Sequence, residues 1–88
     1  MEIRNLRCFV AVYEANSFGR AASALRVTQS TVSLRIRRLE TEIGAPLFLR
    51  LHRSISPTAK GDKFYRHAKR VLAQVDEAGA AMKDDEAA

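Results

Sequence analysis

Apolar residues return along this chain at helical spacing in four stretches, each bounded by residues that start or stop helices. Ile3, Leu6, Phe9, Val10 and Tyr13 make the first stripe and predict a helix over 3–15. Asn16-Ser17 closes it, and Ser17 is placed to cap the next helix with its hydroxyl. In that short helix, about 18–25, Phe18, Ala21, Ala22 and Leu25 fall at i, i+3, i+4 and i+7, an inward face whose alanines let another helix approach. Arg26-Val27-Thr28 is a tight connection. Thr28 is the next N-cap, and Val27 with Val32 stands at the positions of a hydrophobic staple. The third helix runs about 29–43, with Val32, Ile36, Leu39 and Ile43 as its core stripe. Ser30, Ser33, Leu34, Arg37 and Arg38 point the other way at 100° per residue. Gly44 stops it and Pro46 follows.

Residues 47–57 lose the helical period. Leu47-Phe-Leu-Arg50 and Ser54-Ile-Ser56 read as short extended segments around Leu51-His52-Arg53, which fits a small hairpin. Pro57-Thr58 opens the last helix, with Thr58 as its cap. Its stripe is Phe64, Ala68, Val71, Leu72, Val75, Ala78 and Met82, and Gly61 and Gly79 read as weak points in it. Residues 58–83 as a helix would extend about 39 Å, more than the preceding 57 residues can cover. That stripe, Phe64 to Met82, is therefore expected to pair with a second copy of the chain.

Charge changes the picture more than length does. Eighty-eight residues allow one small domain with a limited core, which a dimer contact would supplement. Residues 1–70 carry 14 basic and 5 acidic side chains, a net +9, whereas residues 71–88 carry one Lys and five acids, a net −4. A body this basic suits a polyanion, although a solvated Arg-rich surface has the same composition. The single cysteine, Cys8, rules out an intrachain disulfide. The longest apolar run, Cys8 to Tyr13, is too short to span a bilayer. Met1-Glu-Ile-Arg-Asn has no signal-peptide pattern, so the expected setting is the cytoplasm, with no membrane association.

Two helices joined by a three-residue turn, the second rich in small polar residues and Arg, form a helix-turn-helix pattern. Such a second helix can lie in the major groove with its N-terminal residues at base edges. Gln29 carries an amide able to pair bidentately with adenine. Ser30 and Ser33 are short enough to let the helix sit deep. Arg35, Arg37 and Arg38 supply charge to the phosphate backbone, and Arg50 and Arg53 place two more cations on the hairpin, a wing for backbone or minor groove. The same pattern also occurs within ordinary helical bundles, where Gln and Ser at a helix start only cap and solvate.

Leu6-Arg-Cys-Phe9, Ser17-Phe18, Ala21-Ala22, Leu25, Thr28-Gln29-Ser30, Val32-Ser33, Ile36, Leu39-Glu40, Gly44, Leu47-Phe48, Arg50 and Thr58-Ala-Lys-Gly61, in this order and spacing, resemble the N-terminal domain of the LysR-type transcriptional regulators over residues 3 to about 78. The resemblance implies a bacterial transcription factor whose linker helices pair two chains. Their recognition helices would then face the halves of an interrupted inverted repeat in double-stranded promoter DNA. It implies DNA contacts by Gln29, Ser30, Thr31 and Ser33 and by Arg53 on the wing. It also implies a larger C-terminal effector-binding domain, absent from these 88 residues, so the sequence is expected to be a fragment with any small-molecule control outside it. Many relatives have Pro in place of Ser30 and a basic residue in place of Leu34. Leu34 cannot donate a hydrogen bond but can meet a thymine methyl. Pro57 stands where Leu is frequent.

The expectation is thus a mainly α fold: a winged helix-turn-helix of three helices plus a small β-hairpin wing over 1–57, then a long C-terminal linker and dimerisation helix over 58–88 with an acidic tail. Cys8 reads as a small residue at a helix contact; a redox role would need exposure and a lowered pKa. His52 and His67 have no ligand spacing, and no metal, cofactor or catalytic set is expected. Glu40 is expected to pair with Arg37. An interaction module with an incidental basic face, and a sequence-indifferent architectural binder, remain open beside sequence-specific regulation.

Overall fold

The computed structural model describes residues 1–87, and the side chains of 1–83. The elements run α1 (Ile3–Ala15), α2 (Phe18–Leu25), α3 (Gln29–Ile43), β1 (Phe48–Arg50), β2 (Ile55–Pro57) and α4 (Ala59–Ala87). Local chemistry sets each boundary. Asn16 ends α1 in the left-handed region (φ 52°), and Ser17 Oγ accepts from Arg20 N at the start of α2. Arg26, also left-handed at φ 58°, turns the chain into α3, where Thr28 Oγ1 accepts from Thr31 N. Gly44 closes α3 at φ 81°, where only glycine is free of strain.

Phe9 is the hub of the core. Its ring lies 5.4 Å from that of Phe48 and 5.0 Å from that of Phe64, so one residue of α1 touches both the wing and α4. Leu6, Cys8, Val12, Val32, Ile36, Leu39 and Leu47 complete the buried centre. The wing is a two-stranded antiparallel hairpin with Phe48 opposite Pro57, Leu49 opposite Ser56 and Arg50 opposite Ile55. Proline is tolerated in β2 because both strands of this sheet are edges. Glu40 departs from expectation. Its carboxylate accepts from Leu47 N at 2.7 Å instead of pairing with Arg37, and so ties the end of α3 to the root of the wing.

Gly61 is not a weak point. A Cβ there would stand 2.2 Å from the Leu47 carbonyl oxygen, so α4 can start against the wing only because this residue has no side chain. Thr58 locks the same junction, donating to the Pro46 carbonyl (2.8 Å) and accepting from Gly61 N (2.9 Å). Beyond it α4 is held to α1 by a polar clamp. Tyr13 and Tyr65 stack with centroids 3.9 Å apart. Tyr13 donates to Asp62, Tyr65 and Lys69 both donate to Glu14, and Arg7 pairs with Asp76.

The stripe on α4 expected to dimerise is divided. Ala68 and Leu72 are buried inside this chain, and Phe64 packs on its core. These three therefore belong to the intramolecular contact, because α4 crosses α1 along this part of its length. Val71, Val75, Ala78 and Met82 stay exposed.

Candidate nucleic-acid interface

The turn between α2 and α3 fixes how α3 is presented. With Val32, Ile36 and Leu39 fully buried, the opposite face of α3 is turned to solvent. Gln29, Ser30, Leu34, Arg37 and Arg38 are exposed on it, and Ser33 is half-buried. Two other sequence candidates are directed elsewhere. Thr31 Oγ1 lies 3.0 Å from Thr28 Oγ1, within the capping arrangement. Arg35 is half-buried, and its Nη1 donates to Cys8 Sγ at 3.4 Å, so its guanidinium is turned back onto α1.

Facing the start of α3 across a cleft of about 500 Å³ is the wing. Ser17, Gly19 and Arg20 line the cleft from α2, Gln29 from α3, and Arg50, His52 and Arg53 from the hairpin. Arg50 is held in place by Phe18, its guanidinium carbon 4.1 Å from the ring centroid. The α2 side of this cleft was missed from sequence, where α2 served only as a packing helix. Its signal was Ser17, which marks a helix start whose first-turn amides suit an anion.

The charge is sorted. Residues 1–83 contain seven carboxylates, and each is engaged by a partner other than the arginines of this face, although Glu2 and Glu42 line a shallow depression with Leu34, Arg37 and Arg38. Glu2 pairs with Arg4, Glu42 with the terminal ammonium and Asp76 with Arg7. Glu14 and Asp62 serve the clamp, Glu40 holds Leu47, and Glu77 accepts from Gln74. Among the described residues, Arg37, Arg38, Arg50 and Arg53 have no acidic partner. A convex helix with short polar side chains, flanked by unneutralised guanidinium groups, can enter a groove while meeting phosphates on either side. Among the described residues no three His, Cys, Asp or Glu side chains come together to hold a metal ion. Among the same residues no helix is long and apolar enough to cross a membrane.

Residues 3–62 match the model of the bacterial regulatory helix-turn-helix proteins of the lysR family. The chain is 49% identical over 78 residues to the HTH-type transcriptional regulator BudR of Klebsiella aerogenes, covering 89% of this chain and 54% of that protein. It is 43% identical over 86 residues to the HTH-type transcriptional regulator AbaB of Streptomyces antibioticus, covering 97% of this chain and 29% of that one. It thus spans about half or less of the curated relatives it matches. Among solved structures it resembles BenM_DBD in complex with catB site 1 DNA, with a TM-score of 0.95 and 39% identity, covering 100% of this chain and 99% of that one. A CbnR_DBD–DNA complex matches with a TM-score of 0.91 and 35% identity, covering 97% and 98% of the two chains.

Proposed function

The chain belongs to the lysR family of bacterial helix-turn-helix regulators, and from that premise we propose that it binds double-stranded DNA sequence-specifically, as a homodimer, to regulate transcription. In this reading α3 lies in the major groove. Gln29, Ser30, Ser33 and Leu34 face base edges, Arg37 and Arg38 meet phosphates, and the wing brings Arg50 and Arg53 to backbone or minor groove. Thr31 and Arg35 support the helix more than they read DNA, given the contacts each makes within the chain. Residues 1–57 are the reader and residues 58–88 the linker, joined to a second copy through Val71, Val75, Ala78 and Met82. The operator is an interrupted inverted repeat. Any effector domain lies outside these residues, no catalysis is assigned, and the setting is the bacterial cytoplasm.

One observation carries this reading: the face that presents short polar side chains on α3 is flanked by four guanidinium groups with no acidic partner among the described residues. The test is selection from random duplex DNA at near-physiological salt. The expected product is a motif with two-fold symmetry. Gln29→Ala should cost about 1–3 kcal/mol on that motif and relax preference at one position per half-site. Equal affinity for all sequences, falling steeply with salt, would identify a backbone binder instead and withdraw the assignments to Gln29 and Ser33.

A further inference from the structure

Gly19 lies in the first turn of α2, across from the start of α3. A Cβ at this position would stand 2.8 Å from Gln29 Nε2, 3.9 Å from Gln29 Cδ and 3.8 Å from Ser17 Oγ. All three nearest atoms belong to side chains, and Gly19 is outside the positive-φ region that would demand glycine. The backbone would therefore accept alanine, and helix propensity would favour it. What the missing side chain makes room for is the amide of Gln29, which folds back over α2 at the mouth of the cleft shared with the wing.

We propose that Gly19 is a specificity-determining residue that acts by positioning the Gln29 amide. Bidentate pairing with a base needs the amide oxygen and nitrogen in one plane at hydrogen-bond distance from two base atoms. A methyl group at position 19 closes the space behind Nε2 and drives the amide outward or into another rotamer. The amide would then meet a different base edge, while the phosphate contacts stay as they are. This inference rests on the reading of Gln29 as a base-contacting residue.

The experiment is a double-mutant cycle on the selected motif with the parent, Gly19→Ala, Gln29→Ala and the double variant. Competition against single-base-pair changes reads discrimination, a salt titration reads phosphate contacts and a thermal melt reads the fold. Gly19→Ala should melt at or above the parent and keep its salt slope. It should change discrimination by roughly fivefold or more at the base pair that Gln29→Ala identifies, and this change should vanish when Gln29 is already alanine. If Gln29→Ala alters that base pair and Gly19→Ala does not, the Gly19 role is overturned while the DNA reading stands. An equal change in both backgrounds would overturn it too, because the effect would not run through Gln29. So would a large drop in melting temperature, which would mean that the methyl meets packing instead of the amide. A parent that selects no sequence would remove the proposed function, and the Gly19 role with it.

Discussion

Two glycines in α4 look alike in sequence and differ in space. At Gly61 an added Cβ would press on the Leu47 carbonyl oxygen, which already accepts from Thr58 N at 3.0 Å. Backbone cannot rotate away as a flexible side chain can, so Gly61→Ala should force the wing and α4 apart. The expected cost is about 1–3 kcal/mol, a fall of very roughly 5–20 °C in melting temperature for a chain of this size. At Gly79 nothing lies within 4 Å, and Gly79→Ala should raise helix stability by about 1 kcal/mol. Thermal melts of the two variants check both signs; a shift in the same direction for both would contradict the close approach at Gly61. The sign at Gly79 was legible in the sequence as a propensity defect, whereas that at Gly61 was not. Period and propensity describe a helix by itself, whereas the contact at Gly61 joins residues on two elements. Glu40 teaches the same lesson. Its i−3 arginine was the natural local partner, and the amide of Leu47, made available by the turn after Gly44, took its place.

Between elements, the clamp of α1 on α4 sets the direction in which the long helix leaves the body. Hydrogen bonding from Tyr65, and then from Lys69, holds the Glu14 carboxyl below its usual range. The hydrogen bond to Asp62 raises the Tyr13 phenol above its usual range, and that to Glu14 does the same for Tyr65. A lowered carboxylate stabilises the fold above its unfolded pKa, and that contribution is lost as pH falls through the folded value. A raised phenol contributes below its unfolded pKa and loses the contribution as pH rises through the folded one. Stability should therefore be flat near neutrality and decline on both sides, modestly because these groups meet solvent. Tyr65→Phe keeps the stack on Tyr13 but removes the hydroxyl, so it should shallow both limbs. Melting temperature against pH decides this; an unchanged profile in Tyr65→Phe would mean that the clamp does not carry the dependence. The helices themselves were readable to the residue for α1 to α3, because capping by Ser17 and Thr28 and termination by Gly44 are local events. The clamp was not, since polar residues on two helices far apart in sequence carry no shared signal. The recognition face fell between these cases. Its outward residues followed from the period, but the inward turn of Arg35 depends on Cys8 lying opposite.

For the whole molecule, the decisive feature is how far α4 outruns its support. The chain measures 54 × 25 × 18 Å, and the 29 residues of α4 account for about 43 Å of helix. Among the described side chains, Leu72 is the last along it that is buried within the chain, and Val71, Val75 and Met82 remain 43%, 37% and 59% exposed. An isolated amphipathic helix end gains little stability from propensity alone. Pairing this face with its copy would bury the stripe and hold two recognition helices at a set separation. Val71→Glu with Val75→Glu should leave the fold of residues 1–57 intact, because neither side chain is buried. It should convert a dimer at micromolar concentration into a monomer by sedimentation. Affinity for one half-site should hardly change, whereas affinity for the two-fold site should fall by roughly 10²–10⁴, the gain ordinarily supplied by tethering two modest binders. A parent chain that sediments as a monomer, or a double variant that still binds the two-fold site as the parent does, would remove the homodimer from the proposal and leave each copy to read DNA alone.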